Sequence, residues 1–283
     1  MLYCRMPDAE CRMLNAECQR PKAERWVLTV ALIVVVAAAP AVVSAQDTPA
    51  VVSAQETTTQ AKDTTTQQSG TKAFVSDVFH DYRNFVSDID NARLAAAGVV
   101  VSGTSHFFDK RLAEDVGSNT GSTVSPGATY GNLAFQFPLA ITWWIVGHAM
   151  GSDRGADAGR DLVRAQISAV SFTYALKYAV NRTRPNGDPR SFPSGHASAS
   201  FATAMVLQEH YGWKLGVPAF AVATYVGSER ITQNKHWLSD VTFGAALGLI
   251  SGRTVTLHLK HERLNIQPHA IPGGAAVFVH VQQ

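Results

Sequence analysis

Apolar side chains recur at three- and four-residue steps through Phe74, Val75, Val78, Phe79, Tyr82, Phe85, Val86 and Ile89, the spacing of an amphipathic helix. Leu94–Val101 is apolar and reads as helix as well. Gly117–Gly131 is rich in Gly, Ser and Thr, contains Pro126, and predicts a long loop. Leu133–Met150 is the most apolar segment after the N-terminal region, although Gln136, Pro138 and His148 interrupt it. Asp153–Val180 and Ala197–Tyr211 carry long helical patterns. Leu215–Ser228 and Val241–Arg253 complete the set, and both fall short of the roughly 20 residues that a bilayer span needs. Gly244, Gly248 and Gly252 are four apart, so one helix face there admits close approach by another helix. Strand-like alternation is confined to Ala276–Val281. The expected fold is all-α, a helical bundle.

The N-terminal region has a different pattern. No charge occurs from Trp26 to Gln46, and Val27–Ala39 is apolar apart from Thr29. Lys22 and Arg25 precede the run, Pro40 breaks it, and Val43-Ser44-Ala45 supplies an exit for a signal peptidase. This predicts a secretory signal cleaved after Ala45, with Met13 as a start that gives a flank of ordinary length. An uncleaved anchor across a core of about 30 Å is the alternative. Cys4, Cys11 and Cys18 lie seven apart in the repeat CRMPDAE, CRMLNAE, CQRPKAE. They read as sequence discarded or lying upstream rather than as a metal or disulfide cluster. The mature chain would then hold no cysteine. Residues 46–72, dominated by Thr, Gln and Ser, predict a disordered tether. The layout is therefore 1–45 signal region, 46–72 linker, 73–263 helical domain and 264–283 tail.

Composition narrows the function. Of the 283 residues, 46% are hydrophobic and only 16% charged, against about 25% charged in ordinary soluble domains. A net charge of +2 excludes a nucleic-acid binder that works through a basic field. A mean hydropathy of −0.01 argues against a chain made mostly of membrane spans.

Three short motifs carry chemistry. In Lys177-Tyr-Ala-Val-Asn-Arg-Thr-Arg184-Pro185, Lys177 and Arg184 stand about two helical turns apart and face one way, with Pro185 ending the helix near Arg184. In Pro193-Ser194-Gly195-His196, Ser194 suits a helix N-cap and Gly195 opens the backbone to a ligand. Amides there would hold an anion beside His196, which can move a proton. In the third, Arg230 is followed by His236 and Asp240, and the i, i+4 pair on one helix face lets the carboxylate orient the imidazole. Singly, these motifs equally suit solvated cations, a capped helix start and a surface ion pair.

Together, K-x6-RP, PSGH and R-x5-H-x3-D resemble the three-part signature of the type-2 phosphatidic acid phosphatase family, whose fold is shared with vanadium-dependent haloperoxidases. The resemblance spans about Asp109–Arg253 and includes HWLSDVTFGAALG. It implies the helical fold of that family and a phosphatase in which Lys177, Arg184 and Arg230 bind phosphate oxygens. Ser194 and the Gly195 amide would complete the cradle. His236 would form a phosphohistidine, Asp240 would orient it, and His196 would protonate the leaving oxygen and then activate water. Three cations neutralise a dianion, so no metal or other cofactor is expected. The substrate would be a phosphomonoester or pyrophosphate, of a lipid or of a soluble leaving group, met outside the cytoplasm by a soluble or membrane-associated domain. One position departs from the family: Glu229 replaces the usual Ser before the motif arginine, with Ser228 one residue earlier as a substitute. A haloperoxidase and a non-enzymatic helical membrane or interaction protein are the alternatives.

Overall fold

The computed structural model describes residues 70–116, 125–259, 264–271 and 274–281. The signal segment, the three cysteines and the tether, apart from its last three residues, lie outside them. Among the described residues the order is α1 (Gly70–Ser87), α2 (Ile89–His106), α3 (Asp109–Val116), α4 (Pro126–Tyr130), α5 (Leu133–Ala149), α6 (Asp153–Val180), α7 (Gly195–Tyr211), α8 (Trp213–Thr232) and α9 (Leu238–Val255). An antiparallel hairpin, β1 (Leu264–Ile271) and β2 (Gly274–Val281), follows, with Leu264 opposite Val281. The chain is a helical bundle, as its periodicity predicts, with one terminal hairpin whose second strand covers the alternating segment.

Helix α7 is the centre of the bundle. Every residue from Ala197 to Leu207 is buried, and most are Ala, Ser or Thr, so neighbouring helices approach from all sides. The glycine stripe of α9 meets it directly. A Cβ at Gly244 would lie 2.5 Å from the Ser194 carbonyl oxygen, and one at Gly248 would lie 2.3 Å from that of Ser198. Phe201, 1% exposed, and Val206, fully buried, fill the space towards α8 and α6. Emptying a site like that of Phe201 costs about 3–5 kcal/mol.

Buried polar contacts fix the outer helices. Arg164 on α6 donates to both oxygens of Asp81 on α1 (2.8 and 2.6 Å) and to Asp161 (3.0 Å). Arg253 at the end of α9 reaches Asp88 (2.8 Å) and Asn91 (2.7 Å) at the start of α2.

Three expectations need correction. Residues 126–130, predicted as loop, form α4, because Ser125 caps it and Pro126 stands at its first turn, where a missing N–H costs nothing. Ile89 opens α2 rather than continuing α1, since Asp88 takes an extended backbone and accepts from the Asn91 amide. Helix α6 covers Asp153–Val180, the span its pattern predicts, so the end expected near Arg184 from Pro185 falls four residues earlier, where Asn181 adopts the left-handed conformation at φ 44°.

Candidate active site

A pocket of about 410 Å³ opens where α4, the start of α5, α6, the N-terminus of α7 and the turn after α8 meet. Lys177, Arg184, Gly195, His196, Arg230 and His236 all line it. Among the described residues four cations stand in the wall, since Lys235 joins Lys177, Arg184 and Arg230, and no carboxylate does. Ser194 and Asp240, also expected in the site, are fully buried behind the wall.

Each lining residue has a local cause. Lys177 sits on the last turn of α6, and its ammonium donates to the carbonyls of Arg190 (2.8 Å) and Ser191 (3.3 Å). Burial, with Arg184 and Arg190 nearby, lowers its pKa to about 8. Arg184 lies in the loop beyond α6, and its Nε is buried without a partner, as is the Nε of Arg230. Two buried guanidinium donors facing a cavity leave hydrogen-bonding capacity for an anion. Ser194 caps α7, its hydroxyl accepting from the Ala197 amide at 3.4 Å. Its own amide donates to the Asp240 carbonyl at 2.9 Å, which ties the start of α7 to α9. A Cβ on Gly195 would meet only Thr173 Cγ2 at 3.6 Å and Lys177 Cε at 4.0 Å. That direction is open to a ligand.

Both histidines are held neutral. Burial, reinforced by Arg230 and His236, pushes His196 down to about 3. Arg230 Nη1 lies 3.3 Å from His196 Nε2, and a guanidinium only donates, so Nε2 accepts and the ring proton sits on Nδ1. Gly131 presses on this ring: a Cβ there would fall 2.9 Å from His196 Cβ. His236 is 3% exposed, and burial pushes it down to about 4.

The third motif differs from its expected geometry. His236 is not helical; α9 begins at Leu238 with Trp237 as its cap. The carboxylate of Asp240 bends back to accept from the Trp237 amide at 3.0 Å and from the Ser191 hydroxyl. His236 Nδ1 stands 3.6 Å from Asp240 Oδ2, beyond hydrogen-bond length. The pairing survives because the turn brings the imidazole back over the first turn of α9. Burial opposes ionisation of Asp240, but His236, Ser191 and the Trp237 amide outweigh it and hold its pKa below the usual range.

Glu229 turns away from the pocket. One oxygen accepts from Gln233 Nε2 at 3.2 Å, and the other lies 1.9 Å from where a Gly127 Cβ would be. The repulsion that a carboxylate next to an anion cradle would cause is thus avoided. Ser228 gives no substitute hydroxyl, because it is buried and donates to the Thr224 carbonyl at 2.8 Å. Thr173 and Ser198 line the pocket instead, their hydroxyls bonded to each other at 2.8 Å. Sequence reasoning passed over both, along with Lys235 and Asn132. Ser198 lies one helical turn after Ser194, a spacing that marks it as facing the same way. Among the described residues no group of three or more His, Cys, Asp or Glu side chains is placed to hold a metal ion.

Residues 159–263 match the family model of the PAP2 superfamily. Over 82 residues the chain is 42% identical to the lipid A 1-phosphatase of Porphyromonas gingivalis, covering 28% of this chain and 18% of that protein. Over 79 residues it is 30% identical to the lipid A 4'-phosphatase of Helicobacter pylori, covering 28% of this chain and 40% of the relative. Both matches therefore span less than half of the curated relatives. Among solved structures it is similar to Aquifex aeolicus LpxE, with 25% identity, a TM-score of 0.39, and 55% and 86% of the two chains covered. A phosphatidylglycerolphosphate phosphatase of Bacillus subtilis gives 18% identity and a TM-score of 0.41, with 67% and 95% covered.

Proposed function

We propose that this chain, whose residues 159–263 match the PAP2 superfamily model, is a phosphatase acting on a phosphorylated lipid through a phosphohistidine on His236. The observation that carries the reading is one pocket lined by four cations and two neutral histidines, with no carboxylate in its wall among the described residues. Lys177, Arg184 and Arg230 hold the non-bridging oxygens, and the Gly195 backbone faces the same space. Asp240 lies on the Nδ1 side of His236, so Nε2 is the attacking nitrogen. The P–O bond to the leaving group breaks as the N–P bond forms, and His196, charged once the phosphate dianion is bound, gives its proton to the departing oxygen. His196 then takes a proton from water as that water attacks phosphorus, releasing inorganic phosphate and restoring neutral His236. Cations rather than a metal ion meet the developing charge.

Both curated relatives are named for phosphate removal from lipid A, which favours a lipid-linked phosphate as the substrate here. On this reading the apolar segment ending at Ala45 exports the domain, and catalysis takes place at the membrane face outside the cytoplasm. No helix among the described residues is long and apolar enough to cross a membrane. The test is phosphate release from a phosphorylated lipid in mixed micelles containing EDTA. The full chain should release phosphate and be inhibited by vanadate, and His236→Ala should release none. Activity that EDTA abolishes and magnesium restores refutes the cation-only cradle.

A further inference from the structure

The carboxylate of Asp240 belongs to a larger charged array on the side away from the pocket. Arg182, two residues past the end of α6, donates from Nη1 to Asp240 Oδ1 at 2.8 Å and to the Ser239 hydroxyl at 2.7 Å. Its Nη2 donates to Asp109 Oδ2 on α3 at 2.8 Å. Asp109 is 2% exposed and accepts from the Ser239 amide at 3.0 Å through its other oxygen. Trp237 covers the guanidinium at 5.2 Å, and the indole N–H is itself fixed to the Thr183 carbonyl at 2.8 Å. One planar cation is thus held between two buried carboxylates from different helices.

We infer that Arg182, anchored by Asp109, is a positioning residue that sets the carboxylate of Asp240 for His236. The inference rests on the proposed role of Asp240. The Ser191 hydroxyl and the Trp237 amide hold Oδ2, and Arg182 supplies the contact on Oδ1 that completes the clamp and keeps Oδ2 turned towards His236 Nδ1. A guanidinium fixes two carboxylates through separate nitrogens in a rigid plane, which a single ammonium cannot reproduce. The same contact keeps a negative charge stable in a buried place, where an unpaired carboxylate would take up a proton. None of Arg182, Asp109 or Ser239 lines the phosphate pocket, so the effect passes through Asp240 and does not touch the substrate.

The test is single-turnover phosphorylation by the full chain carrying Arg182→Ala, Arg182→Lys or Asp109→Asn, each also combined with Asp240→Asn. Loss of a partner that orients a metal-bound histidine costs about 10–100-fold, and by the same logic Arg182→Ala should slow phosphoryl transfer by about that factor with KM unchanged. Arg182→Lys should recover part of it. In the Asp240→Asn background the same change should cost less than about twofold, because residues that act through one another are not additive. An equal loss in both backgrounds, or a loss expressed in KM, overturns the inference. If Arg182→Ala does not fold, Arg182→Lys and Asp109→Asn in the two backgrounds give the same coupling. A wild-type protein that takes no label on His236 contradicts the proposed function itself, and that result is read before any variant is made.

Discussion

Arg230 donates to His196 Nε2 across 3.3 Å, so the nitrogen proposed to protonate a leaving oxygen is occupied as an acceptor by a cation proposed to bind phosphate. A bound dianion competes for Arg230 and brings negative charge beside the imidazole. Anion binding and protonation of His196 are therefore linked.

That linkage has a sign. His196 starts at about 3 and rises when an anion binds, so binding takes up a proton between those two values, and affinity falls as pH rises through that window. Lys177, at about 8, loses charge in the free protein at higher pH and produces a second fall. Sulfate keeps a fixed charge across this range and serves as the probe. Calorimetry should show sulfate affinity weakening as pH rises above about 3 and again above about 8. His196→Ala should abolish the first decline only. Affinity independent of pH would break the link.

Gly195→Ala separates folding from binding. The new methyl would meet protein atoms only at ordinary contact distances, 3.6 and 4.0 Å, so thermal stability should be unchanged. It would stand where the ligand approaches, so kcat/KM should fall by about tenfold or more, equivalent to roughly 1.4 kcal/mol. A large drop in unfolding temperature, or unchanged kinetics, would contradict this use of the space.

The six lining residues named by the three motifs were legible because each motif is local: a helix end, a capped helix start and a turn. Asp240 and Ser194 were legible as partners, but not as residues behind the wall. Arg182 sat in plain view within the first motif without a role, because its partner Asp109 lies 73 positions away and no spacing rule reaches that far. The direction of Glu229 was equally hidden, since it depends on α4, a helix that a Gly- and Ser-rich stretch conceals. The glycine stripe predicted close approach, and only the packing supplied its partner, α7.

That packing makes a stability prediction. A Cβ at Gly248 would press on backbone atoms of Ser198 and Ala202 at 2.3 and 2.8 Å, so Gly248→Ala should destabilise by about 1–3 kcal/mol. Gly103 in α2 has nothing within 4 Å, and Gly103→Ala should stabilise by about 0.5–1 kcal/mol through helix propensity. Denaturant unfolding of the two variants reads both signs. Equal effects would contradict the α7–α9 contact.

The two histidines should respond differently to the leaving group. General-acid assistance is worth about 10²–10⁴-fold for a basic alkoxide and much less for p-nitrophenolate. His196→Ala should therefore lose far more single-turnover rate on an alkyl phosphate than on p-nitrophenyl phosphate. Equal losses on both would reassign the acid.

The most direct test of the whole account is the covalent intermediate. Rapid quenching of the full chain with radiolabelled phosphorylated substrate should yield protein-bound label that is labile to acid, stable to base, and located on His236 by peptide mapping. With radiolabelled p-nitrophenyl phosphate, whose leaving group needs no acid, His196→Ala should accumulate that label, because the residue that activates water is gone, and His236→Ala should carry none with either substrate. Label retained by His236→Ala, or turnover by wild type with no label at any quench time, would contradict nucleophilic catalysis by His236.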